Sequence, residues 1–181
     1  VGMDDAVNFG GIGVTIGHEM THGFDDQGRK FAANGDLRDW WTPEDGREFE
    51  QRAKCVSQEY SGFVPVADVH INGDLTLGEN TADNGGARIA LMALLDTLSK
   101  DGKQEQRIDG LTPEQRFFLA YGQSWCANLR PERLRVILAT DPHSPPKFRV
   151  NGVVSNMPEF QKAFSCKTGQ AMVAAAACRV W

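Results

Sequence analysis

Residues 18–22 read His18-Glu19-Met20-Thr21-His22, two imidazoles four residues apart with a carboxylate directly after the first. On a helix, residues four apart share one face, so both rings reach a common point. Imidazole nitrogen binds zinc at about 2.0–2.1 Å, which this spacing permits without bending the helix. Glu19 lies about 100° round the helix from His18, close to such a metal but not aimed at it. From there it reaches a zinc-bound water, the position of a general base. A helix carrying two satisfied histidines and a solvated glutamate is the bland alternative, and two histidines leave a catalytic zinc site one protein ligand short. Glu79-Asn80-Thr81-Ala82-Asp83 offers the missing one. Glu79 and Asp83 lie one helical turn apart on the same face, so Glu79 can bind the metal while Asp83 accepts the free ring N–H of a ligating histidine, fixing its tautomer. Read alone, the two acids are ordinary residues of a helix N-terminus, stabilised by its dipole. Read together with residues 18–22 they make His, His and Glu with an open fourth position, the donor set of hydrolytic zinc.

The elements that must position these groups are mostly helical. A Gly-rich entry, Gly10-Gly11-Ile12-Gly13, leads into a helix running to His22, with Gly23 as its stop. Thr42-Pro43-Glu44-Asp45 starts a second helix, Thr as cap and Pro in the first turn, continuing to Tyr60. A third is expected from about Gly78 to Leu98, burying Ala82, Gly86, Ile89, Ala90, Ala93, Leu94 and Thr97 at helical spacing. Thr112-Pro113-Glu114-Gln115 is a capping-box start for a fourth helix, whose Phe117, Phe118 and Tyr121 are expected in the core. Pro131 to Thr140 reads as a short helix, and Asn156 with Pro158 opens a last one to Phe164. Two Asn-Gly pairs, Asn72-Gly73 and Asn151-Gly152, predict small hairpins, the second pairing Phe148–Val150 with Val153–Val154. The expected class is mainly α with small β hairpins.

Composition narrows the setting. The chain has 181 residues, 41% hydrophobic and 24% charged, enough for one substantial core and ordinary for a globular domain. Its apolar runs, such as Ala174 to Cys178, are far shorter than the ~20 residues needed to span a bilayer. A net charge of −5 argues against nucleic acid as a partner; the cluster Arg130, Arg133 and Arg135 reads as a solvated helix face rather than a binding patch. A start at Val1 without a signal segment suggests a piece of a longer protein. The four cysteines, Cys55, Cys126, Cys166 and Cys178, contain no CxxC pair, which favours disulfides in an oxidising compartment over thiolate metal binding. Four buried free thiols in a cytosolic protein remain the alternative.

With these residues in view, the chain resembles the neprilysin family of zinc metalloendopeptidases, within the thermolysin-like gluzincins. The resemblance is carried by Gly11-Ile12-Gly13, by His18-Glu19-Met20-Thr21-His22-Gly23-Phe24-Asp25-Asp26, by Gly78 to Gly86, by Trp125-Cys126, by His143-Ser144-Pro145-Pro146-Lys147-Phe148-Arg149 and by the terminal Cys178-Arg179-Val180-Trp181. It runs from end to end, and the Glu79 segment and the terminal Cys-Arg-Val-Trp are far more specific than residues 18–22 alone. The resemblance implies Zn2+ on His18, His22 and Glu79, with Glu19 activating water and Asp83 orienting His18. Asp25 would support the ligand set, His143 would hydrogen-bond the tetrahedral oxyanion, and Arg149 would bind a backbone carbonyl of a peptide substrate. Without the resemblance, His143 and Arg149 would be a loop histidine and a strand arginine of no special note. Trp125, Val14 and Thr15 would wall the pocket for the residue after the scissile bond, a plain core role being the alternative for Trp125.

The same resemblance implies that residues 1–181 are one portion of a peptidase domain, its C-terminal part, in an extracytoplasmic protein that is secreted, periplasmic or a membrane-anchored ectodomain. The family's upstream Asn-Ala-Tyr strand and its second domain are not in this sequence. Its pattern pairs Cys55 with Cys178 and joins Cys126 and Cys166 to upstream cysteines, in this case possible links to a separate chain. Two rival readings follow: a zinc-holding but incomplete piece acting as a structural or peptide-binding module, and an aminopeptidase, which would need an acidic grip on a free N-terminus that no motif supplies.

Overall fold

The computed structural model describes residues 2–181. The chain enters through a short helix α1 (Asp5–Asn8), a π-helical turn (Phe9–Gly13) and helix α2 (Val14–Thr21), which tightens into a 3-10 turn over His22–Phe24. The Gly-rich entry is therefore part of one helical run. The expected stop at Gly23 is a narrowing of the helix rather than a break. After a second 3-10 turn (Gly28–Lys30) come α3 (Pro43–Ser61) and α4 (Leu77–Asp101), then α5 (Pro113–Ser124), α6 (Pro131–Thr140), α7 (Pro146–Ser155) and α8 (Pro158–Ala163). The expected capping box at Thr112 forms, and the expected cap at Thr42 also closes as a box: Thr42 accepts from the Asp45 N–H and Thr112 from the Gln115 N–H, each closing two otherwise unpaired donors.

Neither expected hairpin forms. Asn72 turns the chain locally: its side-chain oxygen accepts from Leu75 N and its carbonyl from both the Thr76 N–H and hydroxyl. These bonds consume the groups a strand ladder would need and feed the chain directly into α4. Asn151-Gly152 lies inside α7, because Pro146 at the first helical position starts a helix. Gly152 is required there by packing, since a β-carbon would lie 2.5 Å from the Tyr60 hydroxyl. Arg149 is accordingly a helix residue, not a strand residue. Among the described residues the β pairing consists of isolated bridges, Phe31 with Leu37, Val66 with Val69 and Ile108 with Leu111.

Two apolar clusters hold the helices. Leu91, Leu94 and Leu98 of α4 pack with Phe117, Phe118 and Tyr121 of α5 and with Val153, Val154 and Met157, joined by Ala6 and Val14. Each such large side chain contributes about 1.5–3 kcal/mol when fully buried. The buried stripe of α4 differs from expectation. Its first turns are buried all round, from Asn80 to Ala87, while Ile89 and Ala93 face outward. The reason is that α2 and α7 cover this part of α4 from two sides. The second cluster joins Phe49, Ala53, Val56 and Tyr60 of α3 to Phe148, Cys178 and Val180. Trp181 packs against Trp41 and Phe49, so the alanine-rich tail does reach apolar anchors at its end. No helix among the described residues is long and apolar enough to cross a membrane.

The pairing that positions the site is α2 against α4. It is close because small residues face each other: a β-carbon on Gly17 would lie 2.7 Å from the Gly86 carbonyl oxygen, and one on Gly86 would run into the His18 backbone. Only glycine at both positions lets the two backbones approach so far.

Candidate metal centre

His18 on α2 and His22 at the start of the 3-10 turn that follows it face the first turn of α4, where Glu79 projects to meet them. His18 Nε2 and His22 Nε2 are 3.0 Å apart, and the Glu79 carboxylate reaches them at 3.2 Å (Oε2 to His18) and 3.6 Å (Oε1 to His22). Ligands about 2.05 Å from a tetrahedral zinc lie roughly 3.3 Å from one another, so these separations suit one ion with a corner left open. Among the described residues His18, His22 and Glu79 are the group of potential ligands that converges in this way.

The atoms behind the ligands explain which nitrogens face the centre. His18 Nδ1 is 2.8 Å from Asp83 Oδ1, and His22 Nδ1 is 2.6 Å from Asp25 Oδ2. A carboxylate at Nδ1 fixes the proton there and leaves the Nε2 lone pair directed at the centre. Asp25 is itself held, its other oxygen accepting from the N–H groups of Gln27 and Gly28 at 2.9 and 2.7 Å. Two nitrogen lone pairs and a carboxylate thus face one point, which only a cation satisfies. Without a metal that cation is a proton: burial opposes charge on His18, but the hydrogen bonds to Asp83 and Glu79 outweigh it and raise its pKa to about 9. Burial pushes the Glu79 carboxyl up, and His18, His143, His22 and Arg149 together bring it below its ordinary value.

Beside this centre, sharing His18 with it, lies a cleft of about 250 Å³ lined by Val14, Thr15, His18, Glu19, Trp125, His143 and Arg149 among others. Glu19 and Thr15 are exposed on the open side of α2. His143 Nε2 is 3.3 Å from Glu79 Oε2, while its Nδ1 is 2.7 Å from Asp141 Oδ1. Arg149 is buried, gripping Asp83 through Nε and Nη2, both at 2.7 Å, with Trp125 stacked 4.1 Å from its guanidinium carbon. Trp125 therefore does both: it lines the cleft against the arginine and packs on the first apolar cluster.

Sequence reasoning missed Asp141. It lies two residues before His143 and also accepts the His143 backbone N–H at 2.9 Å; the Asp-x-His spacing was the available signal. Arg130, Arg133 and Arg135 are exposed along α6, as a solvated face requires. Cys55 and Cys178 form a disulfide, while Cys126 and Cys166 are free.

The arrangement of two helical histidines, a carboxylate from a neighbouring helix and supporting acids behind them defines the zincin class of metallopeptidase sites. The sequence profile of peptidase family M13 matches residues 1–180, and the chain belongs to that family. It is 48% identical over 180 residues to neprilysin-1 of Caenorhabditis elegans, covering 97% of this chain and 24% of the relative. It is 46% identical over 177 residues to endothelin-converting enzyme 1 of Cavia porcellus, covering 97% of this chain and 23% of the relative. The fold is similar to the Mycobacterium tuberculosis zinc metalloprotease Zmp1 in complex with an inhibitor, with a TM-score of 0.91 at 44% identity over 98% of this chain and 28% of that one. The chain spans about a quarter of the length of the curated relatives it matches.

Proposed function

We propose that residues 1–181 form the C-terminal portion of the catalytic domain of a zinc-dependent endopeptidase that hydrolyses short peptides. The observation that carries this reading is the convergence of His18 Nε2, His22 Nε2 and Glu79 at 3.0–3.6 Å with both Nδ1 atoms held by carboxylates.

Zinc, when bound by these three residues, supplies Lewis-acid polarisation of the scissile carbonyl and lowers the pKa of water to about 7. Glu19, on the open side of α2, takes the proton of the attacking water and later delivers it to the leaving amine. Asp141 keeps the His143 Nδ1 occupied, so Nε2 is the atom turned to the cleft, where it donates to the carbonyl oxygen as negative charge develops. Asp83 and Trp125 hold the Arg149 guanidinium at the cleft wall, and its remaining N–H groups receive a substrate backbone carbonyl. Val14, Thr15 and Trp125 bound the space for the side chain after the scissile bond.

A second reading, a metal-holding but incomplete piece, is favoured by one observation: Ile12, Ile16 and Met20 form an exposed apolar stripe at helical spacing on the run that carries His18 and His22. Such a stripe calls for the rest of the protein, joined through the chain or through Cys126 and Cys166. The Cys55–Cys178 disulfide supports an extracytoplasmic location. Zinc content and cleavage of a quenched fluorescent peptide, measured on this chain alone and on the full-length protein, decide between the readings. Hydrolysis by the full-length protein that stops on chelation is expected. Zinc bound at these residues without hydrolysis in either form would overturn the endopeptidase reading.

A further inference from the structure

The hydrolytic reading needs His143 at a fixed distance from the metal ligands, yet His143 lies in a loop with few ties of its own. Residues 141–145 connect α6 to α7, and α6 is mostly exposed, with Leu138 its buried residue. The His143 side chain is 47% exposed. Its bond to Asp141 is internal to the loop, so it turns the ring relative to the loop without fixing the loop to anything else. Its contact with Glu79 cannot fix the loop either, because the Glu79 carboxylate is committed to the metal centre.

The tie is made one residue along on each side. Ser144 Oγ donates to Asn80 Oδ1 at 2.8 Å, with Asn80 fully buried and Ser144 2% exposed. The Asn80 amide is held in turn: Nδ2 donates to Thr76 Oγ1 at 2.9 Å, and the Thr76 hydroxyl donates to the Asn72 carbonyl at 3.1 Å. The hydrogen bonds run in one direction, Ser144 to Asn80 to Thr76 to Asn72, and end on backbone at the entry to α4. Among the described residues, Ser144–Asn80 is the side-chain hydrogen bond that joins residues 141–145 to α4 apart from the His143–Glu79 contact itself. Since Asn80 follows Glu79 and Ser144 follows His143, the two neighbouring pairs are set in register by one bond.

We propose that Asn80 and Ser144 are positioning residues for His143: their buried hydrogen bond fixes the loop to the helix that bears Glu79, and so sets where His143 stands relative to the metal ligands. This inference rests on the hydrolytic reading for its kinetic consequence but not for its structural one. Losing the bond leaves a buried acceptor unpaired, which is enough to loosen the loop by about tenfold in its opening equilibrium.

The test uses the full-length, zinc-loaded protein and the variants Ser144→Ala, Asn80→Ala and Ser144→Thr, each also combined with His143→Ala. Hydrogen exchange of the segment 141–149 should quicken by about tenfold in Ser144→Ala and Asn80→Ala, with zinc content unchanged. Ser144→Thr, which keeps the hydroxyl, should restore the wild-type rate. On a peptide substrate the two alanine variants should lose about tenfold in kcat with KM within twofold, and the loss should disappear when His143 is already alanine, because the bond acts through that residue. Unchanged exchange in both alanine variants, loss of zinc, or the same kinetic loss in the His143→Ala background would overturn the proposal. A His143→Ala protein with wild-type kcat would instead remove the assigned role of His143, while the exchange measurement would still report on the tie.

Discussion

Asp83 and Arg149 meet in a two-point ion pair beneath the metal centre, Nε and Nη2 each 2.7 Å from a carboxylate oxygen, and Asp83 Oδ1 also accepts His18 Nδ1 at 2.8 Å. One buried carboxylate thus serves a candidate metal ligand and a candidate substrate-binding cation together, so a change at Asp83 should be felt in both. Asp83→Asn preserves shape but removes charge. It is expected to weaken zinc affinity by about 10–100-fold and, by leaving the Arg149 guanidinium buried without its partner, to destabilise the fold by roughly 3–5 kcal/mol. Glu79→Ala, which removes a ligand outright, should lower zinc affinity further while Arg149 keeps its partner. Chelator competition and denaturant titration measure the two effects separately. Wild-type zinc affinity in both variants would remove Glu79 and Asp83 from the metal site.

Glu19→Gln separates chemistry from metal binding. Glu19 lines the cleft from the exposed side of α2 and has no part in the converging group. The amide therefore should leave zinc content and melting temperature unchanged. It cannot accept a proton from water, so hydrolysis should fall by at least the 10²–10⁴-fold typical of general-base loss. Metal analysis and turnover are to be measured on the same full-length sample. Turnover within tenfold of wild type would show that another group takes the proton.

The convergence of His18, His22 and Glu79 was legible in the sequence because it depends on spacings within helical turns, and helical geometry is rigid. His18 with His22, and Glu79 with Asp83, are each one turn apart, so their faces follow from residue number alone. What sequence could not supply was the distance between α2 and α4, which is set by Gly17 and Gly86 meeting across the interface. The hairpins at Asn72-Gly73 and Asn151-Gly152 failed for a common reason: Asn-Gly marks a local backbone option, and a competing local bond or an adjacent proline decides whether it is used. At Asn72 the side chain closes its own turn; at Asn151, Pro146 has already begun a helix. Ile89 and Ala93 were misplaced because the first turns of α4 are enclosed on all sides, so Ala82 and Gly86 there do not mark the face that stays buried further along, which is that of Ala90, Leu91, Leu94 and Leu98. Asp141 was overlooked because its role exists only within a loop, where no periodicity points to it.

Glu59 makes a prediction about pH that lies away from the candidate metal centre. Burial raises its carboxyl pKa, with Asn156 and Ser155 pulling the other way. Asn156 Nδ2 donates to it at 2.7 Å, and Asn156 Oδ1 accepts the Cys178 N–H at 2.7 Å. A carboxyl whose folded pKa exceeds its unfolded value contributes stability below the unfolded pKa and loses it as pH rises through the folded one. At neutral pH the buried charge is therefore a cost. Glu59→Gln keeps an oxygen for Asn156 without that charge, so it should be more stable than wild type at pH 7, with the advantage shrinking as pH falls and Glu59 takes up its proton. Thermal melts of both proteins at several pH values check this. An advantage that grew toward acid would reverse the sign assigned to Glu59.

The Cys55–Cys178 disulfide ties α3 to the C-terminal tail across a sequence separation of 123 residues. In the chain-entropy description a loop of that length stabilises by about 4–5 kcal/mol. The measured effect should be smaller, because the tail has anchors that survive reduction: Val180 is buried, Trp181 packs on Trp41 and Phe49, and Asn156 holds the Cys178 N–H. Cys178→Ser is accordingly expected to cost about 2–4 kcal/mol without abolishing the fold. Cys126 is exposed and Cys166 half-buried, both free, and they lie on separate parts of the chain, after α5 and after α8. Peptide mapping without reductant should recover Cys55 joined to Cys178, with Cys126 and Cys166 as free thiols in this chain or joined to cysteines outside it in the full-length protein. A Cys126–Cys166 peptide would show that the family's disulfide pattern does not carry over to this chain, and wild-type stability of Cys178→Ser would show that the aromatic anchors alone hold the tail.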